Sequence, residues 1–511
     1  MANGRGRSSR GFRRGIAMGL KLLAALALLV IGALLYLGIP RNAAGMAAKG
    51  VCSAAFVAGR PWQNLMARDV LPASAVLRLI SIEVDEPARA VTAKFAGLFA
   101  RQAVLLPDRG CVLDVAAMLP RPAQPAPRTQ PTSSAQPAPL QQPASPATAG
   151  TPKPWPVGDT PLPVSQWGAG FDAPALQKVV DQAFVGAGNP AAANARGVAV
   201  IHKGRLLVLQ MALGFSPQTP LHGWSMAKTV TGMLVHKLAA DKPATDTLVN
   251  GSPLPLDANV VDAFPKSREP AWLAAWRNDA RKTIKVSDLL YMRDGLTSTE
   301  DYQPWGSVPQ MLWGQPDAAA FAALAPAEAA PGTRWRYLSQ SANLLGAVAR
   351  GRFANDADYW AYPAKALFNP IGASTAVMET DTAGNWVGSS YLWASVGDWG
   401  RLGQLMLNDG HWDGAQVLPP GWLQRASAKA TPEGEGRGYG AQTWRIGDPD
   451  AGKCKGRDVP ADTLAMSGHW GQIVAMVPSR EAVIVRMGWT FKRDQFDDCR
   501  FVADVLKALP Q

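Results

Sequence analysis

Gly223-Trp224-Ser225-Met226-Ala227-Lys228-Thr229, continued by an apolar run to Leu238, is the stretch on which the reading of this chain turns. It reads as a tight approach into a buried helix, with Ser225 at the first turn. Residues i and i+3 share a helical face, so Ser225 and Lys228 point the same way. A serine hydroxyl is a weak nucleophile until a base takes its proton. A lysine serves as that base when burial or a neighbouring cation lowers its pKa. A helix start also offers backbone N–H groups that can hold a developing oxyanion. The bland alternative is a capping serine beside a solvated lysine, and Ser-x-x-Lys arises by chance about once in a chain this long. The segments downstream bear on that choice.

Around this stretch, residues 164–511 are dense in tryptophan and read as one unit. Val198–His202 and Leu206–Leu209 flank Lys203-Gly204, a hairpin signal. Ile284–Met292 reads as a strand turn leading into a helix. Gln472–Val477 and Ala482–Met487 pair around Pro478-Ser479-Arg480, and a last helix is expected from about Phe496 to Leu509. Strands at both ends thus enclose a helical middle, an α+β layout.

The order of these segments resembles the serine β-lactamase and penicillin-binding superfamily, and within it the class C-like esterases and aminohexanoate-dimer hydrolases. Four segments carry the resemblance: Ser225-Met-Ala-Lys228, Ile284 to Leu296 ending Arg293-Asp294-Gly295-Leu296, Tyr337 to Gly346, and Gly468-His469-Trp470-Gly471-Gln472. The resemblance implies a β-lactamase-like antiparallel sheet flanked by helices, with a helical subdomain. It implies that Ser225 is the acylated nucleophile, that Lys228 and Tyr337 share the proton work, and that the N–H groups of Ser225 and Gln472 form the oxyanion hole. A lysine beside a phenol shares one proton between two sites. His469 stands where β-lactam-binding relatives carry a lysine, and it would be mostly neutral near pH 7. Ser339 stands where many relatives carry asparagine, and offers one short hydroxyl instead of an amide. The first departure points away from β-lactam and peptidoglycan-peptide substrates, and the second towards a different grip on the substrate's amide. Glu300-Asp301-Tyr302 is similar to a segment in which the aminohexanoate-dimer hydrolases use the tyrosine. Tyr302, Trp305, His469, Gly471 and Ser339 are therefore the expected substrate contacts. Trp305 and Trp313 near Tyr302 equally suit a hydrophobic wall that shapes the pocket.

Rival chemistries fit less well. The histidines, His202, His222, His236, His411 and His469, make no H-x-x-x-H or HExxH pair, which argues against zinc, and no metal or cofactor is expected. Gly-Trp-Ser-Met-Ala breaks the G-x-S-x-G elbow at its last position. His222 is read as closing the turn before the helix.

Further out, residues 50–118 read as a small module bounded by Cys52 and Cys111. Ser81–Asp85 and Ala90–Phe95 would be paired strands around Asp85-Glu86-Pro87. No catalytic constellation is visible there, so a docking or spacer role is expected. Residues 119–163, rich in Pro, Ala, Gln, Ser and Thr, read as an extended linker. Leu22 to Ile39, LLAALALLVIGALLYLGI, is uncharged and long enough to cross a bilayer. The arginine-rich residues 1–21 would stay cytoplasmic and the remainder be periplasmic, on a bacterial inner membrane. A cleaved signal peptide is the alternative. Four cysteines in an exported chain suggest two disulfides. Three pairings are open, and Cys52–Cys111 with Cys454–Cys499 keeps each bridge within one domain.

The chain of 511 residues carries a net charge of +12, half of it from Arg5, Arg7, Arg10, Arg13, Arg14 and Lys21. The rest forms no basic cluster interleaved with aromatics, which argues against nucleic acid. The expectation is thus a membrane-anchored serine hydrolase cleaving a small amide or ester. A penicillin-binding-type or non-turnover binder of cell-wall fragments, or a structural tether, are the alternatives.

Overall fold

The computed structural model describes residues 8–115, 153–240 and 254–510. Residues 1–7 of the basic tail and the part of the expected linker before residue 153 lie outside the described residues.

Alternation builds the centre of the large domain. Strands β5 (Ala195–His202), β6 (Arg205–Met211), β12 (Leu464–Gly468), β13 (Gln472–Val477) and β14 (Ala482–Gly488) form one antiparallel sheet in the order β12-β13-β14-β5-β6. Ala482 pairs with His202, so the last strand lies against the first. Side chains on a strand alternate between faces. Val198 and Val200 with Ile484 pack towards helices Ala173–Val185 and Asp498–Lys507. Ala199 and Ile201 with Val483 and Val485 join the opposite cluster, which holds helices Met226–Ala240 and Val396–Leu407. A sheet buried on both faces fixes its register tightly, because a one-residue slip would exchange the two sets. A second antiparallel sheet, β7 (Leu221–His222), β9 (Leu392–Ala394) and β8 (Val377–Met378), runs into the turn before Ser225. Strands β10 (His411–Trp412) and β11 (Ala415–Gln416) make a small separate pair.

The expected hairpins are present with their ends extended by one to three residues, and the final helix is Asp498–Lys507. Both expected disulfides form, Cys52–Cys111 and Cys454–Cys499.

The N-terminal region differs from expectation. The run Leu22–Ile39 is not one helix. A helix Ser8–Tyr36 ends there, Gly38 turns the chain at φ +67°, and a second helix, Ile39–Cys52, begins with Pro40 in its first turn. Proline lacks the N–H that a continuing helix would need and suits a helix start instead. Among the described residues no helix is long and apolar enough to cross a membrane.

The second helix packs across an antiparallel sheet of β1 (Ile80–Asp85), β2 (Ala90–Phe95), β3 (Phe99–Leu106) and β4 (Gly110–Leu113). This module is seated on the large domain through buried polar groups. Glu379 is fully buried and accepts from Ser53 Oγ (2.9 Å), the Cys111 N–H (2.7 Å) and Trp393 Nε1 (3.1 Å), with Lys49 Nζ at 3.5 Å. Asp69 takes Arg196 Nη2 at 2.6 Å and Arg60 beside it, while Trp489 donates to the Asp69 carbonyl. Such groups are costly to bury unless each is satisfied, so the seam is specific rather than greasy.

Candidate active site

Ser225 sits at the mouth of helix Met226–Ala240, after β7. Trp224, the residue before it, holds φ +50°, a left-handed conformation that costs a bulky side chain about 1–3 kcal/mol and that surrounding packing must enforce. The packing is aromatic: the Trp224 indole lies 4.4 Å from His222, 5.0 Å from Trp470 and 5.5 Å from His469. The helix then brings Lys228 back over Ser225, and Nζ lies 2.9 Å from Ser225 Oγ.

Lys228 is 1 % exposed. Its ammonium donates to Ser225 Oγ, to Ser339 Oγ at 3.0 Å and to the Ser389 carbonyl at 3.0 Å. Burial pulls its pKa from 10.5 down to about 8, with Glu300 pulling the other way. Ser339 opens helix Ser339–Gly351, and both its N–H (2.7 Å) and its hydroxyl (2.6 Å) donate to the Glu300 carboxylate. The hydroxyl proton of Ser339 is thus committed, and its lone pairs face Lys228. The Ser389 N–H donates to Asn343 Oδ1 at 3.1 Å, which aims the neighbouring carbonyl.

Tyr337 closes the corner. Its ring stacks on Trp444 at 4.9 Å, and Lys228 Nζ lies 4.9 Å from the ring centroid. Burial raises the Tyr337 phenol well above its ordinary value; the Glu300 charge adds to this, and a hydrogen bond with Ser225 opposes it. Tyr302 is raised for the same reasons and also hydrogen-bonds Ser225, while its hydroxyl lies 3.4 Å from Glu300. One hydroxyl, one amine and two phenols therefore meet, although residues 228 and 337 lie on different helices and loops.

The β12–β13 turn supplies the opposite side. Trp470 and Gly471 both have positive φ, and Gln472 opens β13. The Gln472 side chain is tied to Gly488, whose N–H it accepts at 2.8 Å, so only its backbone is left to face a ligand. His469 stacks on the Tyr302 ring at 4.4 Å and 8°. Trp305 does not join this group; it is 47 % exposed and outside the cavity lining, which Trp313 occupies instead. His222 is buried under the turn, donates from Nε2 to the Ser390 carbonyl at 2.8 Å and stacks on Trp393, and burial holds its pKa down to about 3.

Sequence reading missed Glu300, although it lies in the segment singled out for Tyr302. It also missed Ser389 and Asn343. A carboxylate that acts on a residue 39 positions away leaves no periodic mark.

The Beta-lactamase family matches residues 176–507. No curated protein sequence matches. Among solved structures, the chain is similar to a candidate 6-aminohexanoate-dimer hydrolase from Bacillus anthracis (19 % identity, 62 % of this chain and 81 % of that one, TM-score 0.46). It is also similar to a penicillin-binding protein homolog from Caulobacter crescentus (15 %, 66 % and 97 %, 0.46) and to a family VIII carboxylesterase (15 %, 66 % and 99 %, 0.47). The family match runs from the first helix of the large domain to its last and takes in each of the groups gathered about Ser225. It spans well over half of the sequence, and on that ground the chain belongs to the Beta-lactamase family and is a serine hydrolase.

Proposed function

We propose that the chain cleaves a carboxylic ester or amide through an acyl-enzyme on Ser225. The observation that carries this is the hydrogen-bond set of Lys228. A neutral lysine has two N–H donors and one lone pair. The Ser389 carbonyl can only accept, and Ser339 Oγ gives its proton to Glu300. Those two take the N–H groups, and the lone pair is left to the Ser225 hydroxyl. With no carboxylate in contact and a pKa of about 8, the amine is poised to exchange a proton near neutral pH.

In this reading Ser225 Oγ attacks the carbonyl carbon while its proton passes to Lys228. The new oxyanion is held by the N–H groups of Ser225 and Gln472. The tetrahedral intermediate expels the leaving alcohol or amine, which takes a proton relayed by Tyr337. Water then repeats the cycle on the acyl-enzyme and returns the proton to Ser225. Ser339 and Glu300 orient Lys228, and Tyr302, His469 and Gly471 flank the substrate. The two disulfides support export to an oxidising compartment such as a periplasm.

A fluorophosphonate should add its mass to Ser225 alone, and short-chain p-nitrophenyl esters should turn over. No labelling of Ser225 in the native chain would refute this reading. Labelling accompanied by acylation that never turns over would instead indicate a binding protein.

A further inference from the structure

The cavity beside Ser225 has a wall that the family match does not reach. Helix Ile39–Cys52 presents Asn42, Ala43 and Met46 to it, with Val76 and Leu77 alongside. Opposite stand Trp224, Tyr302, Trp313, His469 and Trp470. Ala43 and Met46 are three apart and share a helical face. Ser225 itself is not among the lining residues, but Trp224, which precedes it, and Tyr302, whose phenol hydrogen-bonds it, both are, so the cavity adjoins the Ser225 corner.

We propose that the N-terminal module is a selectivity wall: Ala43, Met46, Val76 and Leu77 set the size of an uncharged apolar group flanking the scissile bond of the substrate turned over at Ser225. This rests on the serine-hydrolase reading above. Two features define the ligand class. Among the described residues no Asp, Glu, Lys or Arg lines the cavity, and a buried charge without a partner is strongly disfavoured there. The cavity measures about 120 Å³, somewhat less than the 150 Å³ cavity that accepts benzene, which leaves room for about four to six carbon atoms.

The wall is held in fixed relation to the facing loop. Asn42 Nδ2 donates to the Pro304 carbonyl at 3.0 Å, and Arg101 Nη1 donates to the Trp313 carbonyl at 2.6 Å. Gly45 lets the helix lie flush on that loop; a Cβ there would come within 2.8 Å of the Trp313 oxygen. Lys49 and Glu379 lock the same helix one turn further on. A wall pinned this way selects by shape instead of yielding to each substrate.

The test uses the full chain and two ester series, one varying the acyl group and one the alcohol, from two to eight carbons in each. Met46→Ala widens the cavity and Ala43→Leu narrows it. In the series whose varied group enters the cavity, the six-carbon to two-carbon ratio of kcat/KM should rise about tenfold in Met46→Ala and fall about tenfold in Ala43→Leu. Where ester turnover is too slow, Ser225 labelling rates with short and long alkyl fluorophosphonates give the same ratio. Should Ala43→Leu fail to fold, Met46→Ala decides alone. Ratios unchanged within about twofold in both series, with Ser225 still labelled, would overturn the wall and leave the hydrolase standing. No Ser225 labelling in the unaltered chain would overturn the hydrolase and the wall together.

Discussion

Among the described residues two lysines are buried, in regions that treat them differently. Lys49 lies on the seam between the N-terminal module and the large domain, with Glu379 3.5 Å away and the Tyr391 ring 4.2 Å beneath it. Lys228 lies in the corner at Ser225 and touches two hydroxyls and a carbonyl, with no carboxylate in contact. Burial lowers the pKa of both, but at Lys49 the Glu379 charge and hydrogen bond are the main opposing causes, whereas at Lys228 only the more distant Glu300 opposes. A buried ammonium with its own carboxylate is a structural tie. A buried ammonium without one is unstable as a cation, and that instability makes it a base. The seam therefore uses its lysine to hold two parts together, and under the proposed function the corner uses its lysine to move a proton.

The contrast breaks most readily at the nucleophile. Ser225→Ala should lower ester turnover by about 10⁴-fold or more and remove the fluorophosphonate mass, as read by single-turnover assay and peptide mass. Retained turnover would mean that the corner is not the site.

Lys228→Met should cost about 10³-fold in kcat/KM. In the unaltered chain kcat/KM should rise with pH through an inflection near 8, because the deprotonated amine is the active form. The residual rate of the variant should lose that inflection. Lys49→Met should leave the inflection where it is.

Stability should separate the two lysines in the opposite sense. Lys49→Met strands Glu379 without its cation and should cost about 3–5 kcal/mol in urea unfolding, partly recovered by Glu379→Gln. A neutral effect would show that the hydrogen bonds from Ser53, Cys111 and Trp393 suffice.

Lys228→Met should stabilise the fold. The drop from 10.5 to about 8 corresponds to about 3 kcal/mol of disfavoured cation, an upper bound because Ser389 loses a donor. The sign follows from proton uptake. Between pH 8 and 10.5 the unfolded chain binds the proton that the folded chain has released, so the stability of the unaltered protein climbs with pH in that window. The advantage of Lys228→Met is then complete below pH 8, shrinks across the window and vanishes above 10.5. Melting temperatures at pH 7 and pH 10.5 measure it. An advantage that does not change with pH would mean that the folded-state pKa of Lys228 is not lowered.

What was legible beforehand was local. The Ser225–Lys228 spacing specifies a shared helical face, alternation in 198–202 and 482–487 specifies strands with two buried sides, and both disulfides join cysteines that the domain division had already grouped. The apolar run at 22–39 does not show where its helix ends, because hydropathy counts side chains, whereas the break is made by the backbone of Gly38 and Pro40. Glu300 was passed over because its partner Ser339 is distant in sequence, and Trp305 was favoured over Trp313 although only the latter turns inward.

Read alone, the sequence determined the shared helical face of Ser225 and Lys228 and the strand pattern, since each depends on periodicity within a few turns of chain, and its resemblance to a family singled out the Tyr337 segment. Tertiary structure alone decided which groups surround that amine and that residues 39–77 wall the cavity. The reason is physical: spacing states which way a side chain points along its own element, but an aliphatic or aromatic face is indifferent to its partner until the whole chain has packed.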